Sequence, residues 1–320
     1  QSAGRVLAQD VRADRDFPPF DRVMMDGIAI RYSDFSTGVR CFTIEGLLAA
    51  GQPSRPIAQR DHCLEIMTGA VMSTNADVVI RYEDVEITGD KATVQVDAVK
   101  PGQNIHFQGS DRKKGDLLIP MNRCISAAEL GVMATVGLST VEVWSKPRVL
   151  IVSTGDELVE VDETPEPFQI RKSNVHTLQA LCMSLGLSTT LVHVADTPDL
   201  IESQLRENLS HCEVILLSGG VSKGKLDFVP EVLQKLGITG HFHGVKQRPG
   251  KPFWFGTGES HWVFAFPGNP VSTYMCAIRY FSKWLRRSLF QNDVLIRARL
   301  GEDFRFMPDL QYFLQVKLEF

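Results

Sequence analysis

The feature that most constrains the fold is a short apolar run that ends in a glycine-rich turn. The run is Val214–Leu217, Gly219 and Gly220 follow it, and the turn leads to Asp227 at the start of a helix-compatible segment. Apolar runs of this length that stop at glycines are typical of buried parallel strands. A glycine-rich turn between strand and helix directs backbone N–H groups at an anion. The turn therefore predicts a phosphate site, although an ordinary strand-to-helix turn would need the same glycines.

Two further apolar runs end in polar loops. Val149–Val152 leads into Ser153–Glu157, and Trp262–Phe266 leads into Pro267–Ser272. The helices between and after the strands are predicted to begin at Ser173, at Thr197-Pro198 and near Asp227. Repeated strand–helix units of this length indicate a mostly parallel sheet that is covered on both faces. Ligands of such sheets sit beyond the carboxyl ends of the strands, so we expect the loops to form one site.

Composition excludes several classes of function. A chain of 320 residues is long for one hydrophobic core, so we expect two or more domains. The formal net charge of −4 argues against a nucleic-acid surface, and no apolar run is long enough to cross a bilayer. The six cysteines form no C-x-x-C pair and are typical of reduced thiols. We expect a cytoplasmic protein with no nucleic-acid partner and no membrane partner.

The first part of the chain has a different pattern. Residues 1–31 predict a short helical start and then an extended loop, because two adjacent prolines follow Phe17. Residues 32–105 alternate in short strands separated by turns, with a hairpin signal at Gly89-Asp90. This segment predicts a small β domain inserted into the N-terminal one.

Local sequence patterns also predict a helix after Ser126 and short strands at the end of the chain. Ser126 and Glu129 have the spacing of a capping box, which predicts a helix that ends near Val136. The tail contains two strand-like segments, Val294–Leu300 and Gln311–Phe320. About thirty residues cannot bury a core of their own, so we expect a docked or incomplete β element.

The strand-end loops carry the groups that a phosphate and a metal ion require. Hydroxyl groups lie on Ser153, Thr154, Ser218, Ser222 and Ser272. Carboxylates beside an anion site need a cation, so we expect Mg²⁺ bound by Glu157 and Asp227. The turn Arg248-Pro-Gly-Lys251 adds two positive charges suited to an oxyanion, although a solvated surface turn has the same composition.

Eight motifs in this order resemble the MoeA/gephyrin-E family of molybdopterin molybdenumtransferases. The C-terminal half contains Ser153-Thr-Gly-Asp-Glu-Leu, Ser218-Gly-Gly-Val-Ser-x-Gly-x-x-Asp227, Pro249-Gly-Lys-Pro-Phe-x-Phe-Gly and Phe266-Pro-Gly-Asn-Pro-Val-Ser. The N-terminal half contains Met25-Asp-Gly, Ala50-Gly-Gln-Pro, Ile66-Met-Thr-Gly-Ala and Gly102-Gln-Asn-Ile. The resemblance covers nearly the whole chain.

The resemblance implies an elongated homodimer that inserts molybdate into adenylylated molybdopterin, releases AMP and requires Mg²⁺. Molybdopterin adenylyltransferase and apo-molybdoenzymes are the implied partner proteins. The fold class that it implies is multidomain α/β and β, with a central, mostly parallel pterin-binding domain that is similar to MogA and MoaB. The implied limits are 1–31 with 106–146 for a mixed domain, 32–105 for the inserted β domain, 147–289 for the molybdopterin-binding α/β domain, and 290–320 for an incomplete β domain.

Family roles carry over to matching positions. The implied catalytic residues are Asp26, Asp111, Glu157, Asp227 and Lys251, with Glu157 and Asp227 as metal ligands. The implied substrate-binding residues are Thr68, Ser153, Thr154, Asp196, Ser218, Gly219, Gly220, Ser222, Arg248, Pro267, Gly268, Asn269, Pro270 and Ser272. Asp26, Thr68 and Asp111 match positions at the family's dimer cleft, where they face the partner's pterin-binding domain.

The chain departs from the family pattern at two places. Arg248 stands where the family commonly has lysine, which keeps the charge and changes its geometry. The arginine of the family's C-terminal domain has no clear counterpart, with Arg305 as a weak substitute. Two other functions stay open: a molybdopterin adenylyltransferase, and a dimeric scaffold or carrier that binds the pterin without turnover.

Overall fold

A computed structural model describes residues 2–221, 228–290 and 297–319. The chain forms two compact units, Gln1–Val143 and Trp144–Phe320. All six cysteines are free thiols, as predicted. No helix in the described part of the chain is both long and apolar enough to span a membrane.

The described residues of the first unit form short strands and two α-helices. The strands are β1 (Val11–Arg12), β2 (Arg22–Val23), β3 (Gly27–Ile30), β4 (Cys41–Leu48), β5 (His62–Ile66), β6 (Val78–Arg81), β7 (Val85–Thr88), β8 (Lys91–Val94), β9 (Ile105–His106) and β10 (Leu117–Ile119). The helices are α1 (Tyr32–Ser36), a 3-10 turn (Tyr82–Asp84) and α2 (Ala127–Thr135).

Six of these strands form the main sheet of the first unit, in the order β6-β3-β5-β4-β8-β7. Only β4 and β5 pair in parallel within it, and β7 and β8 form the predicted hairpin. Its strand β3 precedes residue 32, where we expected the inserted domain to begin. The small sheets β1-β10 and β2-β9 complete the unit, and the domain limits stay a prediction.

The helical start predicted within residues 1–31 is wrong. Val6 and Leu7 instead make bridges to Cys124 and Val143, and β1 pairs with β10. Leu7 is fully buried and packs in the cluster that also contains Met133 of α2. Burial against a distant part of the chain therefore overrides the local helical pattern.

The predicted capping box is confirmed. The Ser126 hydroxyl accepts a hydrogen bond from Ala128 N, while the carboxylate of Glu129 accepts one from Ser126 N at 3.0 Å. Both groups satisfy N–H donors that have no partner inside the helix.

The second unit alternates strands and helices over its described residues. The strands are β11 (Val149–Thr154), β12 (Leu158–Val159), β13 (Ile170–Arg171), β14 (Thr189–Val194), β15 (Val214–Ser218), β16 (Thr239–His243), β17 (Gln247–Arg248), β18 (Trp254–Thr257), β19 (Trp262–Phe266) and β20 (Gln311–Tyr312). The helices are α3 (Asn174–Ser184), α4 (Pro198–Asn208), a 3-10 turn (Leu209–His211), α5 (Val229–Lys235), α6 (Pro270–Cys276), a π-helix (Ala277–Ser282) and α7 (Lys283–Ser288).

The main sheet of this unit has the order β14-β11-β15-β19-β18-β16. The first four strands are parallel, whereas β18 and β16 are antiparallel additions that we did not predict. Ile215 and Leu217 pack with the cluster that contains Ile201 of α4 and Val232 of α5. Helices α3 and α6 contact the same parallel strands, and Leu216 is also fully buried. The prediction of a mostly parallel, doubly covered sheet is confirmed.

The tail forms less strand than we expected. Residues 294–296 lie outside the described residues, and 297–300 form no strand. Of the second segment, only β20 is a strand, and it pairs in parallel with β17. A docked β element is therefore present, and its strand pairing is two residues long.

Truncation of a central strand residue tests this architecture. Leu217→Ala removes a fully buried side chain, so we expect the free energy of unfolding to fall by about 2–5 kcal/mol. Leu191→Ala is the matched control, because Leu191 is 38% exposed on the edge strand β14. Urea unfolding measures the free energy of unfolding of both variants, and an equal decrease in the two would contradict the assigned core.

Candidate active site

The parallel register brings the predicted strand ends to one level. Ser153 of β11 lies opposite Ser218 of β15, and Ser218 lies opposite Phe266 of β19. On the other side, Ser153 lies opposite His193 of β14. The loops that follow these strands therefore leave the sheet from the same edge, as expected for a ligand site.

The glycines after β15 are required by close packing. Gly219 has φ +100°, and a Cβ there would lie 2.6 Å from the carbonyl oxygen of Thr154. Gly220 has φ +66°, and a Cβ there would lie 2.7 Å from Cγ2 of Val229. The N–H of Gly219 already donates to Phe266 O at 3.3 Å. Gly219 therefore shapes the turn, and its predicted contact with the substrate phosphate stays a prediction.

One pocket at this edge collects many of the predicted residues. Those that line it are Ser153, Thr154, Glu157, Ser218, Gly219, Gly268 and Pro270. Their convergence confirms that the strand ends meet, while their roles stay predictions. Ser222 and Asp227 lie outside the described residues.

Asn174 is a pocket residue that the sequence analysis missed. Its Nδ2 donates to Ser218 Oγ and to Gly268 O, both at 2.8 Å, and so joins two of the loops. The sequence predicts that this helix begins at Ser173 with that residue as its cap, but the Ser173 side chain makes no capping hydrogen bond. The available signal was an asparagine at a helix start beside predicted strand ends.

Lys172 also lines the pocket and was missed. It is only 8% exposed and forms an ion pair with Glu160, which is itself exposed. The hydrogen bond from Lys172 lowers the pKa of Glu160. A nearly buried ammonium at the pocket provides positive charge that can reach an anionic ligand.

Polar side chains next to the pocket hold the C-terminal end of β11. Ser153 Oγ lies 3.0 Å from His193 Nδ1, and Thr154 Oγ1 donates to the carboxylate of Asp196. Burial is the main cause that lowers the pKa of His193. Asp196 N donates to Asp156 Oδ1 at 3.1 Å. Asp196 therefore orients the Thr154 hydroxyl, and its predicted contact with the substrate stays a prediction.

The Pro267–Ser272 loop is closed by its own side chains. Asn269 Oδ1 accepts a hydrogen bond from Ser272 N at 3.2 Å and caps α6. Thr273 Oγ1 donates to Pro267 O at 2.6 Å. Asn269 thus fixes the loop, and Pro270 occupies the first helical position, where its missing N–H costs nothing.

The basic turn lies outside this pocket. Lys251 lines a separate depression with His243 and Lys246, and Arg248 lines neither. His243 Nε2 lies 2.7 Å from the carbonyl oxygen of Val221, so this depression adjoins the glycine turn. Both Arg248 and Lys251 are exposed and make no ion pair with a carboxylate of the described residues.

Two acidic positions lie in the first unit. Asp26 Oδ1 accepts hydrogen bonds from Oγ1 and from N of Thr68, both at 2.6 Å, and these bonds lower the pKa of Asp26. Asp111 Oδ1 lies 2.8 Å from His106 Nε2, and His106 Nδ1 lies 3.1 Å from Arg22. Because arginine can only donate, His106 must be protonated on Nε2 and donate to Asp111. His106 is a further residue that we did not predict.

The described residues contain no group of three or more metal-ligating side chains. Glu157 is exposed at the pocket, and its carboxylate makes no hydrogen bond to another described residue. An unpaired carboxylate beside a ligand pocket is a suitable magnesium ligand, because Mg²⁺ takes few protein oxygens and several from water or phosphate.

Comparisons with known proteins identify both halves of the chain. Residues 1–137 match the MoeA N-terminal region (domain I and II), and residues 150–287 match a family described as a probable molybdopterin binding domain. A molybdopterin molybdenumtransferase of Synechocystis is 40% identical over 99% of this chain and 80% of its own length. The chain belongs to the MoeA family of molybdopterin molybdenumtransferases. The Haemophilus influenzae relative of the same name is 34% identical over 85% of this chain and 67% of its own.

A solved structure supports the same assignment. The MoeA protein of Pyrococcus horikoshii superposes with a TM-score of 0.76 at 28% identity, over 90% of this chain and 73% of its own. The predicted fold class, an α/β molybdopterin-binding domain accompanied by mixed and β elements, is confirmed for this member of the MoeA family.

Substitution of Gly219 tests the geometry of the turn. Gly219→Ala forces a Cβ against the Thr154 carbonyl at positive φ, so we expect a loss of about 1–3 kcal/mol of folding free energy. Gly268→Ala is the control, because a Cβ at that position would meet no atom within 4 Å and its φ is ordinary. Urea unfolding should leave the Gly268 variant within about 0.5 kcal/mol of the parent.

The hydrogen bonds to Asp26 give a pH prediction. Thr68→Val removes the hydroxyl and keeps the backbone donor, so the pKa of Asp26 should rise towards its usual value. Because folding depresses this pKa, the stability it contributes is present above the unfolded-state pKa and is lost as pH falls through the folded-state pKa. An NMR titration of the Asp26 carboxyl measures the shift, and exposed Thr88→Val should leave it unchanged.

Proposed function

We propose that this chain is a molybdopterin molybdenumtransferase that inserts molybdate into adenylylated molybdopterin and releases AMP. The observation that carries the proposal is the strand-end pocket, where Ser153, Asn174 and Ser218 converge within the segment that matches a molybdopterin-binding domain. The relatives that are named molybdopterin molybdenumtransferase support transfer of molybdenum to molybdopterin.

The pocket residues bind the pterin substrate. Ser153, Thr154, Ser218 and Asn174 offer hydroxyl and amide groups to its polar edge, and Gly220 with Ser222 cradles its phosphate. No protein nucleophile is needed, because the dithiolene sulfurs of the substrate displace molybdate oxygen, which leaves as water with the thiol protons, and a water molecule hydrolyses the phosphoanhydride bond that holds AMP. The protein contributes orientation and neutralisation of charge.

Molybdate binds near the basic turn. Arg248 and Lys251 are exposed cations without a carboxylate partner among the described residues, so their charge is available to an oxyanion. The hydroxyl of Ser272 adds a hydrogen bond. The guanidinium of Arg248 presents a planar pair of donors, which suits two oxygens of a tetrahedral anion.

Glu157 and Asp227 would hold Mg²⁺. When bound there, Mg²⁺ would supply positive charge beside the phosphate of the substrate. Glu157 fits this role because its carboxylate lines the pocket and has no competing partner among the described residues. Lys172, already paired with Glu160, adds fixed positive charge at the same pocket.

The active form is a homodimer in which Asp26, Thr68 and Asp111 act at the partner's pterin site. Met24 and Met25, which are 51% and 43% exposed, directly precede Asp26 and provide apolar surface for such an interface. Molybdopterin adenylyltransferase supplies the substrate, and apo-molybdoenzymes receive the product.

The adenylyltransferase and carrier hypotheses give different assay results. An adenylyltransferase would join molybdopterin to a nucleotide without molybdate, whereas a carrier would bind the adenylylated pterin without releasing AMP. The match of residues 1–137 to the MoeA N-terminal region favours the insertion reaction, because the predicted adenylyltransferase would be a single α/β domain without such a region.

Release of AMP from adenylylated molybdopterin tests the proposal. We expect release that depends on both molybdate and Mg²⁺, and a loss of at least about a hundredfold in Asp227→Asn and Glu157→Gln at low Mg²⁺. Excess Mg²⁺ should partly restore Glu157→Gln. The control Glu166→Gln changes an exposed carboxylate that does not line the pocket and should behave as the parent. Substrate binding without molybdate-dependent release would contradict the proposed reaction.

A further inference from the structure

A buried amide lies directly beneath the basic turn. Gln247, the residue before Arg248, is only 1% exposed. Its Nε2 donates to Gly250 O at 3.0 Å and lies 3.4 Å from Cys276 Sγ, and its Oε1 accepts a hydrogen bond from the hydroxyl of Tyr280. Every polar atom of this side chain therefore has a partner, which is what a buried amide requires.

The two distal partners belong to one continuous helical segment. Cys276 is the last residue of α6, and Tyr280 lies in the π-helix Ala277–Ser282 that follows. The Tyr280 ring stacks on Phe253 with 4.7 Å between ring centroids, so its hydroxyl is aimed at Gln247. Burial raises the pKa of Tyr280, so the hydroxyl keeps its proton and remains a donor.

The turn itself is packed tightly against this segment. Gly250 has φ +86°, and a Cβ there would lie 2.5 Å from Cys276 Sγ. Val245 N donates to Lys251 O at 2.8 Å and closes the base of the turn. The Gln247 amide thus links the base of the turn to the helical segment, and the pairing of β17 with β20 holds the backbone of the turn from another direction.

The same helical segment begins at the strand-end pocket. Helix α6 starts at Pro270, whose loop lines the pocket and is capped by Asn269. Cys276 is six residues further on, about 9 Å along the axis of a regular helix. One continuous helical segment therefore contacts the pterin pocket at its start and the Gln247 amide in its middle.

We infer that Gln247 is a positioning residue, which acts through Tyr280 and Cys276 to set the place of Arg248 and Lys251 relative to the pterin pocket. The inference rests on the proposed function, in which these two cations bind molybdate. Gln247 touches neither substrate, and its effect is confined to where the oxyanion site lies.

Two variants remove the connection with little change in shape. Tyr280→Phe keeps the ring on Phe253 and deletes the hydroxyl, and Gln247→Met keeps the side-chain length and deletes the amide. We expect each to raise the KM for molybdate by roughly three- to tenfold, with the KM for adenylylated molybdopterin unchanged. The double variant should be no worse than the poorer single variant, because both remove one interaction.

Tyr274→Phe is the matched control. Tyr274 lies on α6, is 47% exposed, and its hydroxyl makes no hydrogen bond to a described residue, so all kinetic constants should equal those of the parent. A merely structural role for Gln247 would lower kcat through loss of active enzyme and leave the KM for molybdate unchanged. Either that result, or no change in any kinetic constant, would overturn the inference. Release of AMP by the parent protein would still support the proposed function in both cases.

Equilibrium dialysis with radiolabelled molybdate separates the two hypotheses further. If the parent releases no AMP, the proposed function fails, and dialysis still decides the positioning role. Weaker molybdate binding by both variants than by the parent and Tyr274→Phe supports it. Equal binding by all four proteins, or no binding by the parent, overturns it.

Discussion

Parallel pairing of β11, β15 and β19 is the constraint on which the candidate active site depends. Because Ser153, Ser218 and Phe266 are in register, the loops that follow them start at one level. A shift of one residue in any of these strands would move its side chains to the opposite face. Both faces are buried, so the close packing of particular side chains against the helices selects the register and thereby the position of the polar site.

Close contacts then fix the loops relative to each other. The Thr154 carbonyl leaves no room for a side chain at position 219, and Asn174 joins the loops after β15 and β19. These contacts are satisfied within the protein before a substrate arrives. A site whose donors are already held in place loses little conformational entropy on binding, which favours charge stabilisation by fixed dipoles.

The polar groups of the second unit are divided between two places. Hydroxyl and amide groups line the strand-end pocket, whereas Arg248 and Lys251 lie on a separate turn. A reaction that joins a pterin to an oxyanion needs one subsite for each reactant, and the position of one subsite relative to the other must be fixed. The continuous segment from Pro270 to Ser288 contacts both, because its first turn closes the pocket loop and its π-helix contacts Gln247.

Much of this arrangement could be predicted from the amino-acid sequence. The apolar run Val214–Leu217 and its glycines predict a buried strand and a turn, since both signals are local. The motifs at Ser153, Ser218 and Pro267 likewise predict the family and the edge of the sheet where a ligand binds. The capping box at Ser126 and the hairpin at Gly89 follow from side-chain and turn chemistry within a few residues.

Only the tertiary structure decides which groups meet across long stretches of chain. Lys172 and His106 have no local signal: the loops that share the pocket with Lys172 are distant in sequence, and Arg22, a partner of His106, lies on another strand. The extended conformation near Leu7 is likewise imposed by burial against α2 and its neighbours. Local patterns determine which elements form and which chemistry they carry. Long-range packing determines whether an N–H such as that of Gly219 is free for a ligand or already bound within the protein.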